Sequence, residues 1–201
     1  MSALAPHGHT RDTVKFFTGG YDKAIRLWKV NTSKLGSATS EEVIKLATIP
    51  EALAFRRSRH SLLTSASKRL MDIDLDHLSK KPVGFPMSNP VCHMHVCKEN
   101  QNVVILEACS QICQHAVNHL RTTIQVGHWD FQVQIYDDRR KPGFDRASDC
   151  CFGGRHGVPV RASKGDVHLT LFAKGYDDGT VAIWDFRNAN VNAHACILDT
   201  C

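Results

Sequence analysis

The chain has 201 residues, 42% of them hydrophobic, and a net charge of +5 from 25 basic and 20 acidic side chains. That length and apolar content suffice for a sizeable core in one domain or two small ones. No run of about 18 apolar residues occurs, which excludes a membrane-spanning helix, and the opening MSALAPHGHTRD lacks the basic and then apolar order of a secretory signal.

The cytosol or nucleus is therefore the expected location, and the eight cysteines read as reduced thiols rather than a disulfide framework. Basic clusters at Arg56-Arg57, Lys68-Arg69, Lys80-Lys81 and Arg139-Arg140-Lys141 are scattered and poorly interleaved with aromatic residues. That pattern suits a solvated face better than a nucleic-acid patch.

In chain order, one phrase recurs four times: a short apolar strand, a polar or Gly turn, then an alternating strand ending in an aromatic. The copies are KFFTGGYDKAIRLWKV (15–30), SLLTSASKRLMDIDL (61–75), VGHWDFQVQIYDDR (126–139) and LFAKGYDDGTVAIWDFR (171–187). Ile25 and Leu27 flank Arg26, Val133 and Ile135 flank Gln134, and Val181 and Ile183 flank Ala182, the period of a strand with one buried face. Asp22, Asp130 and Asp178 each stand six residues before the closing aromatics Trp28, Tyr136 and Trp184. A carboxylate there can accept backbone N–H bonds as the chain reverses. The second copy is degenerate, with Ser67 or Lys68 at the turn and Ile73-Asp74 near the closing position, its register open by one residue.

The copies end near residues 28, 74, 136 and 184, about 46, 62 and 48 residues apart, and two of these spacings approach a four-stranded repeat of 40 to 45 residues. EEVIKLAT (41–48) and EALAFRR (51–57) precede the second copy; VCHMHV (91–96) and NVVILEA (102–108) precede the third.

These residues carry a resemblance. With Trp184-Asp185 after GYDDGTVAI and the partial forms Trp28-Lys29 and Tyr136-Asp137, residues 5 to 188 resemble the WD-repeat (Trp-Asp repeat) β-propeller family as a partial or degenerate member. The resemblance implies an all-β propeller of about four legible blades of antiparallel strands, incomplete or open. Blade-like units are expected at about 5–30, 41–76, 83–138 and 149–187, with 188–201 the start of a further blade or a tail.

Family blades commonly join a Gly-His pair, a Ser or Thr, the turn Asp and the Trp in one hydrogen-bonded set. Here Gly8-His9 lies in what reads as a turn between two strands, and Gly127-His128 sits beside an Asp turn, so no complete set is expected. The long spacing maps to CSQICQHAVNHLRTTIQ (109–125), where Ile112, Ala116, Leu120 and Ile124 fit one helical face. Two readings stand: a short helical or irregular insertion, or a stretch that is not native coding sequence, such as a retained intron. The short strands at both ends read as cut, so further blades or a second copy are expected to close the ring.

Cys92, His93, His95 and Cys97, with Cys109, Cys113, His115 and His119, form the densest ligand cluster. On a strand, His93 and His95 point one way and Cys92, Met94 and Val96 the other, while the helical set does not share one face. Core cysteines and surface histidines are the reading adopted, with no metal. No nucleotide, zinc-protease or nucleophile-elbow motif occurs, and Asp137-Asp138 and Asp177-Asp178 are neighbours whose side chains face opposite ways. No catalytic residue and no cofactor are assigned.

The resemblance implies a non-catalytic protein-interaction scaffold. Loops bearing Arg56, Arg57, Arg59, Arg139, Arg140 and Lys141 are the candidate contacts for an acidic partner. A nucleic-acid-associated module using the same loops is the first alternative, and an enzyme with a site at the channel mouth the second.

Overall fold

A computed structural model describes residues 3–34, 37–87, 90–108, 133–137, 139, 144, 150–152, 164–175, 180–185 and 196–199. Among them, regular structure is almost wholly β, the one exception being the 3-10 turn Arg57–Arg59. The helix expected at 109–125 lies outside the described residues.

Among the described residues, sixteen strands form four antiparallel sheets of four. The first holds β1 (Ala3–His9), β2 (Thr13–Gly19), β3 (Ala24–Asn31) and β4 (Ala38–Lys45) in sequential order. The second holds β5 (Ala52–Arg56), β6 (Ser61–Ala66), β7 (Arg69–Asp74) and β8 (Val83–Pro86). The third is built from β9 (Val91–Val96), β10 (Val103–Ala108), β11 (Val133–Asp137) and β12 (Cys150–Phe152), and the fourth from β13 (Asp166–His168), β14 (Leu171–Gly175), β15 (Thr180–Asp185) and β16 (Cys196–Asp199).

The sheets run one strand further than the sequence units. Ala38–Lys45, read as the opening of the second unit, pairs with β3; Val83–Pro86, read into the third, pairs with β7. Cys150–Phe152 pairs with β11, and Cys196–Asp199, read as the start of another blade or a tail, pairs with β15. The physical reason is the ladder: the alternating strand that ends each phrase has two hydrogen-bonding edges, and the next segment of chain occupies the second one.

Register aligns the four phrases. Phe16 faces Trp28, Leu62 faces Ile73, Val104 faces Tyr136 and Phe172 faces Trp184. The next residues, Lys29, Asp74, Asp137 and Asp185, therefore share one position, and the open register of the second phrase closes with Ile73 in the aromatic's place. Gly8 and His9 belong to β1 rather than to a turn, beside a bulge at His7.

Loops are opened by side chains that accept the N–H two residues on, a local bond that holds a reversal without a partner from elsewhere. Asn31 takes Ser33 N–H at 2.9 Å, Asp74 takes Asp76 N–H at 3.0 Å, Asn100 takes Asn102 N–H at 3.3 Å and Asp137 takes Arg139 N–H at 3.0 Å.

The chain divides into two compact units, Met1–Val96 and Cys97–Cys201. In the first, Ala5, Phe17 and Ile25 of the first sheet pack with Leu46 and with Leu53, Leu62, Ala66 and Ile73 of the second. Each Leu, Ile or Phe of this cluster contributes about 1.5 to 3 kcal/mol by leaving water. The second sheet is covered on its other face too, where β9 packs on β5 and Ser65 Oγ donates to the Val91 carbonyl at 2.6 Å. Every residue of β6 is consequently buried, and its sequence SLLTSA does not alternate.

In the second unit, Cys97, Val103, Ile105, Val133 and Ile135 pack with Phe172, Ala182 and Trp184. Beside that core sits an ion pair between Glu107 and Lys174, both almost wholly buried. The other carboxylate oxygen of Glu107 accepts the Gly165 N–H at 3.0 Å, so one side chain ties β10 to β14 and to the segment before β13.

Candidate functional site

The hairpin between β5 and β6 presents the Arg57–Arg59 turn, and its geometry starts from a residue that does not reach solvent. Arg56 is 1% exposed; its Nε donates to Ser61 Oγ at 3.0 Å and its guanidinium pairs with Asp72. It is therefore corrected from a candidate partner contact to an internal anchor, because a guanidinium at the end of a covered strand must be neutralised from within. With Arg56 pinned inward, Arg57 and Arg59 are left exposed on the turn, which closes through the left-handed His60 (φ 45°) with its N–H on the Arg57 carbonyl at 3.2 Å.

The loop after β7 braces this turn. Leu75 N–H donates to the His60 carbonyl at 3.1 Å, His60 Nδ1 lies 2.6 Å from Asp76 Oδ1, and His77 Nδ1 lies 2.8 Å from Asp74 Oδ2. The His77 contact, with the Asp76 N–H, holds the Asp74 carboxyl below its ordinary range. From the first sheet, His7 stacks on Phe55 at 4.5 Å and meets His60 edge-on at 6.5 Å. Burial first, and then the positive charges of Lys15, His60, Arg57 and Lys29, push the His7 pKa down.

The repeat residues occupy hairpins and strands. Asp22 accepts the Ala24 N–H at 3.3 Å and pairs with Arg26 at 2.6 Å; these bonds, Arg26 first, hold its carboxyl below the ordinary range. The turn itself closes by Gly20 N–H to the Ala24 carbonyl at 3.0 Å, with Lys23 in the left-handed region at φ 68°. Trp28 donates from Nε1 to Thr18 Oγ1 at 2.8 Å and stacks with Phe16 at 6.4 Å. Tyr136 is buried edge-on to Phe144 at 5.2 Å, and Trp184 is buried against Phe172 at 5.8 Å. Asp185 closes β15 opposite Leu171. Asp130 and Asp178 lie outside the described residues.

Arg139 is exposed and folded back onto Asp137, donating from Nε at 3.0 Å and from Nη2 at 2.6 Å. Arg140 and Lys141 lie outside the described residues, as do Gly127-His128, Cys109, Cys113, His115 and His119. Burial along β9 does not follow the expected alternation: Val91 and His95 on one face and Met94 on the other are buried, while Cys92, His93 and Val96 are partly buried, because this strand packs against the second sheet. Among the described residues, no group of three or more Cys, His, Asp or Glu side chains is placed to hold a metal ion. Cys97 lies 3.4 Å from Glu99 Oε2 and 3.3 Å from the Leu169 carbonyl, and burial pushes its thiol up, away from a reactive thiolate.

Sequence reasoning passed over Lys15, Lys29, His7 and His60, and also the Glu107–Lys174 pair. The first two carried a legible signal, since each sits at a core-facing place of its strand, beside Phe17 and Leu27. The buried pair carried none, because its members are 67 residues apart.

No family model matches the chain, and no curated protein matches it in sequence. The fold is nonetheless shared with the WD40 beta propeller domain of Doa1, at a TM-score of 0.58 and 12% identity. The match covers 96% of this chain and 54% of the Doa1 chain, so the present chain spans about half of that structure. The described architecture is that of a partial WD40-type propeller.

Proposed function

We propose that this chain is a non-catalytic protein-interaction scaffold of the WD-repeat type. The observation that carries the reading is the anchored turn: Arg56 is fixed inside the second sheet, and Arg57 and Arg59 are exposed beside it on a short, braced loop. Rigid strands that display charged loops suit recognition of an acidic protein surface without any reaction. Arg139, with Arg140 and Lys141, forms the second such contact in this reading. Cytosol or nucleus as the location, and completion of a ring by a second copy or further blades, belong to the same proposal.

The test is affinity capture from cell extract with two charge-reversed variants, Arg57→Glu with Arg59→Glu, and Arg139→Glu with Arg140→Glu and Lys141→Glu. The expected result is loss of a partner that the unaltered chain recovers. Unchanged recovery with both variants removes these loops as the contact.

A further inference from the structure

The first sheet carries a charge arrangement that works against its own folding. Lys15 and Lys29 are direct cross-strand partners on β2 and β3, and like charges placed directly opposite are destabilising. Both lie on the same face as Phe17 and Ile25, which pack towards the second sheet, so they stand where that apolar face reaches the rim.

The row continues one strand further. Gly8 is the cross-strand partner of Lys15 on β1, and a Cβ placed on Gly8 would lie 3.0 Å from Arg57 Nη2. The missing side chain admits the Arg57 guanidinium, which completes a line of three cations across β1, β2 and β3. His7 and His60 flank it. Among the described residues, one carboxylate reaches the line. Glu41 reaches Lys29 at 3.6 Å, Glu42 is directed to Arg26 at 3.8 Å, and Asp76 is held by His60. Lys15 and Arg57 have no carboxylate partner among the described residues.

We propose that this rim, marked by Lys15, Lys29 and Arg57, binds an extended acidic segment of a partner protein; the proposal rests on the scaffold reading and names the partner's chemistry. Neighbouring strands lie about 4.8 Å apart, so the line spans roughly 10 Å, and acidic residues at alternate positions of an extended peptide stand about 6.7 Å apart. Two such carboxylates fall within reach of three cations on flexible stems. A single-stranded nucleic acid is disfavoured, because the nearby rings of His7 and Phe55 stack on each other instead of offering faces to bases.

The experiment measures binding of a labelled short peptide alternating Glu and Ser to the full chain at low salt, with an oligothymidylate as the competing probe. Lys15→Gln with Lys29→Gln is expected to weaken peptide binding about tenfold. Lys15→Arg with Lys29→Arg is expected to retain it. Because the glutamines remove an opposed like-charge pair, the unfolding midpoint is expected to stay or rise, which separates lost binding from lost structure. On the unaltered chain, bound peptide is expected to slow amide exchange in 13–15 and 27–31.

Equal peptide binding by the glutamine variant, or no binding by the unaltered chain, overturns the rim assignment while leaving the scaffold reading to its own capture experiment. Tighter binding of the oligothymidylate than of the peptide overturns the choice of a protein partner.

Discussion

Trp28 and Trp184 hold the same register position in the first and fourth sheets, each facing a phenylalanine, yet their burial separates them. Trp184 is 6% exposed and its partner Phe172 is fully buried, whereas Trp28 and Phe16 are both only partly buried. A Trp side chain carries about 200 Å² of surface, so near-complete burial at 25 cal/mol per Å² corresponds to about 5 kcal/mol and the lesser burial of Trp28 to about 3 to 4 kcal/mol. Trp184→Ala is therefore expected to cost about 3 to 5 kcal/mol, a cost to which the cavity against Phe172 contributes. Trp28→Ala is expected to cost less, about 2 to 4 kcal/mol with its hydrogen bond to Thr18 included. Urea unfolding followed by circular dichroism and by amide exchange resolves the two compact units, since Trp28 lies in one and Trp184 in the other. The Trp184 variant should lose protection in 103–108, 133–137, 171–175 and 180–185, with 3–34 unaffected. An equal cost at both positions, or a larger cost at Trp28, would refute the argument that burial rather than the shared repeat position sets the contribution.

The buried pair gives a second test: Lys174→Met alone is expected to destabilise its unit by about 3 to 5 kcal/mol, because Glu107 loses its cation. Adding Glu107→Leu should recover most of that, leaving about 1 to 3 kcal/mol for the Gly165 N–H without its acceptor, as read from a double-mutant cycle in urea. Gly165→Ala is expected to cost about 1 to 3 kcal/mol, since the new methyl meets the Phe172 ring and stands 2.8 Å from the Ala173 carbonyl. Gly20→Ala meets chiefly the end of the Asp22 side chain, which can swing away, so its thermal midpoint should fall by less. For His7, the depressed pKa means that the unfolded chain binds the proton more readily. Its contribution is present above about pH 6.5 and is lost as pH falls through the lower folded value. His7→Gln should flatten the acid side of the stability profile of the first unit, and an unchanged slope between pH 4 and 7 would count against the burial assigned to His7.

Local order told the sequence most of what it could about strands and turns. Alternation around Arg26, Gln134 and Ala182 is a property of a few adjacent residues, and the Asp or Asn that opens a turn needs only a backbone N–H two positions on, as Asp22, Asp74 and Asp137 show. Recurrence of such phrases at similar spacing was enough to point to four sheets. What a strand does with its second edge was not local: EEVIKLAT is equally well patterned to begin the second sheet or to finish the first, and only the β3–β4 ladder decides. Burial of Arg56 was likewise decided by Asp72 arriving from β7, as that of Glu107 was by Lys174 from β14. The cation row needed three strands in register and a turn from another sheet, so the lysines 14 positions apart in the chain and Arg57 beyond them became one feature only in three dimensions. Sequence determined the elements because period and turn chemistry act over a few residues; tertiary structure decided the partners, because an ion pair or a sheet edge is set by whatever chain arrives beside it.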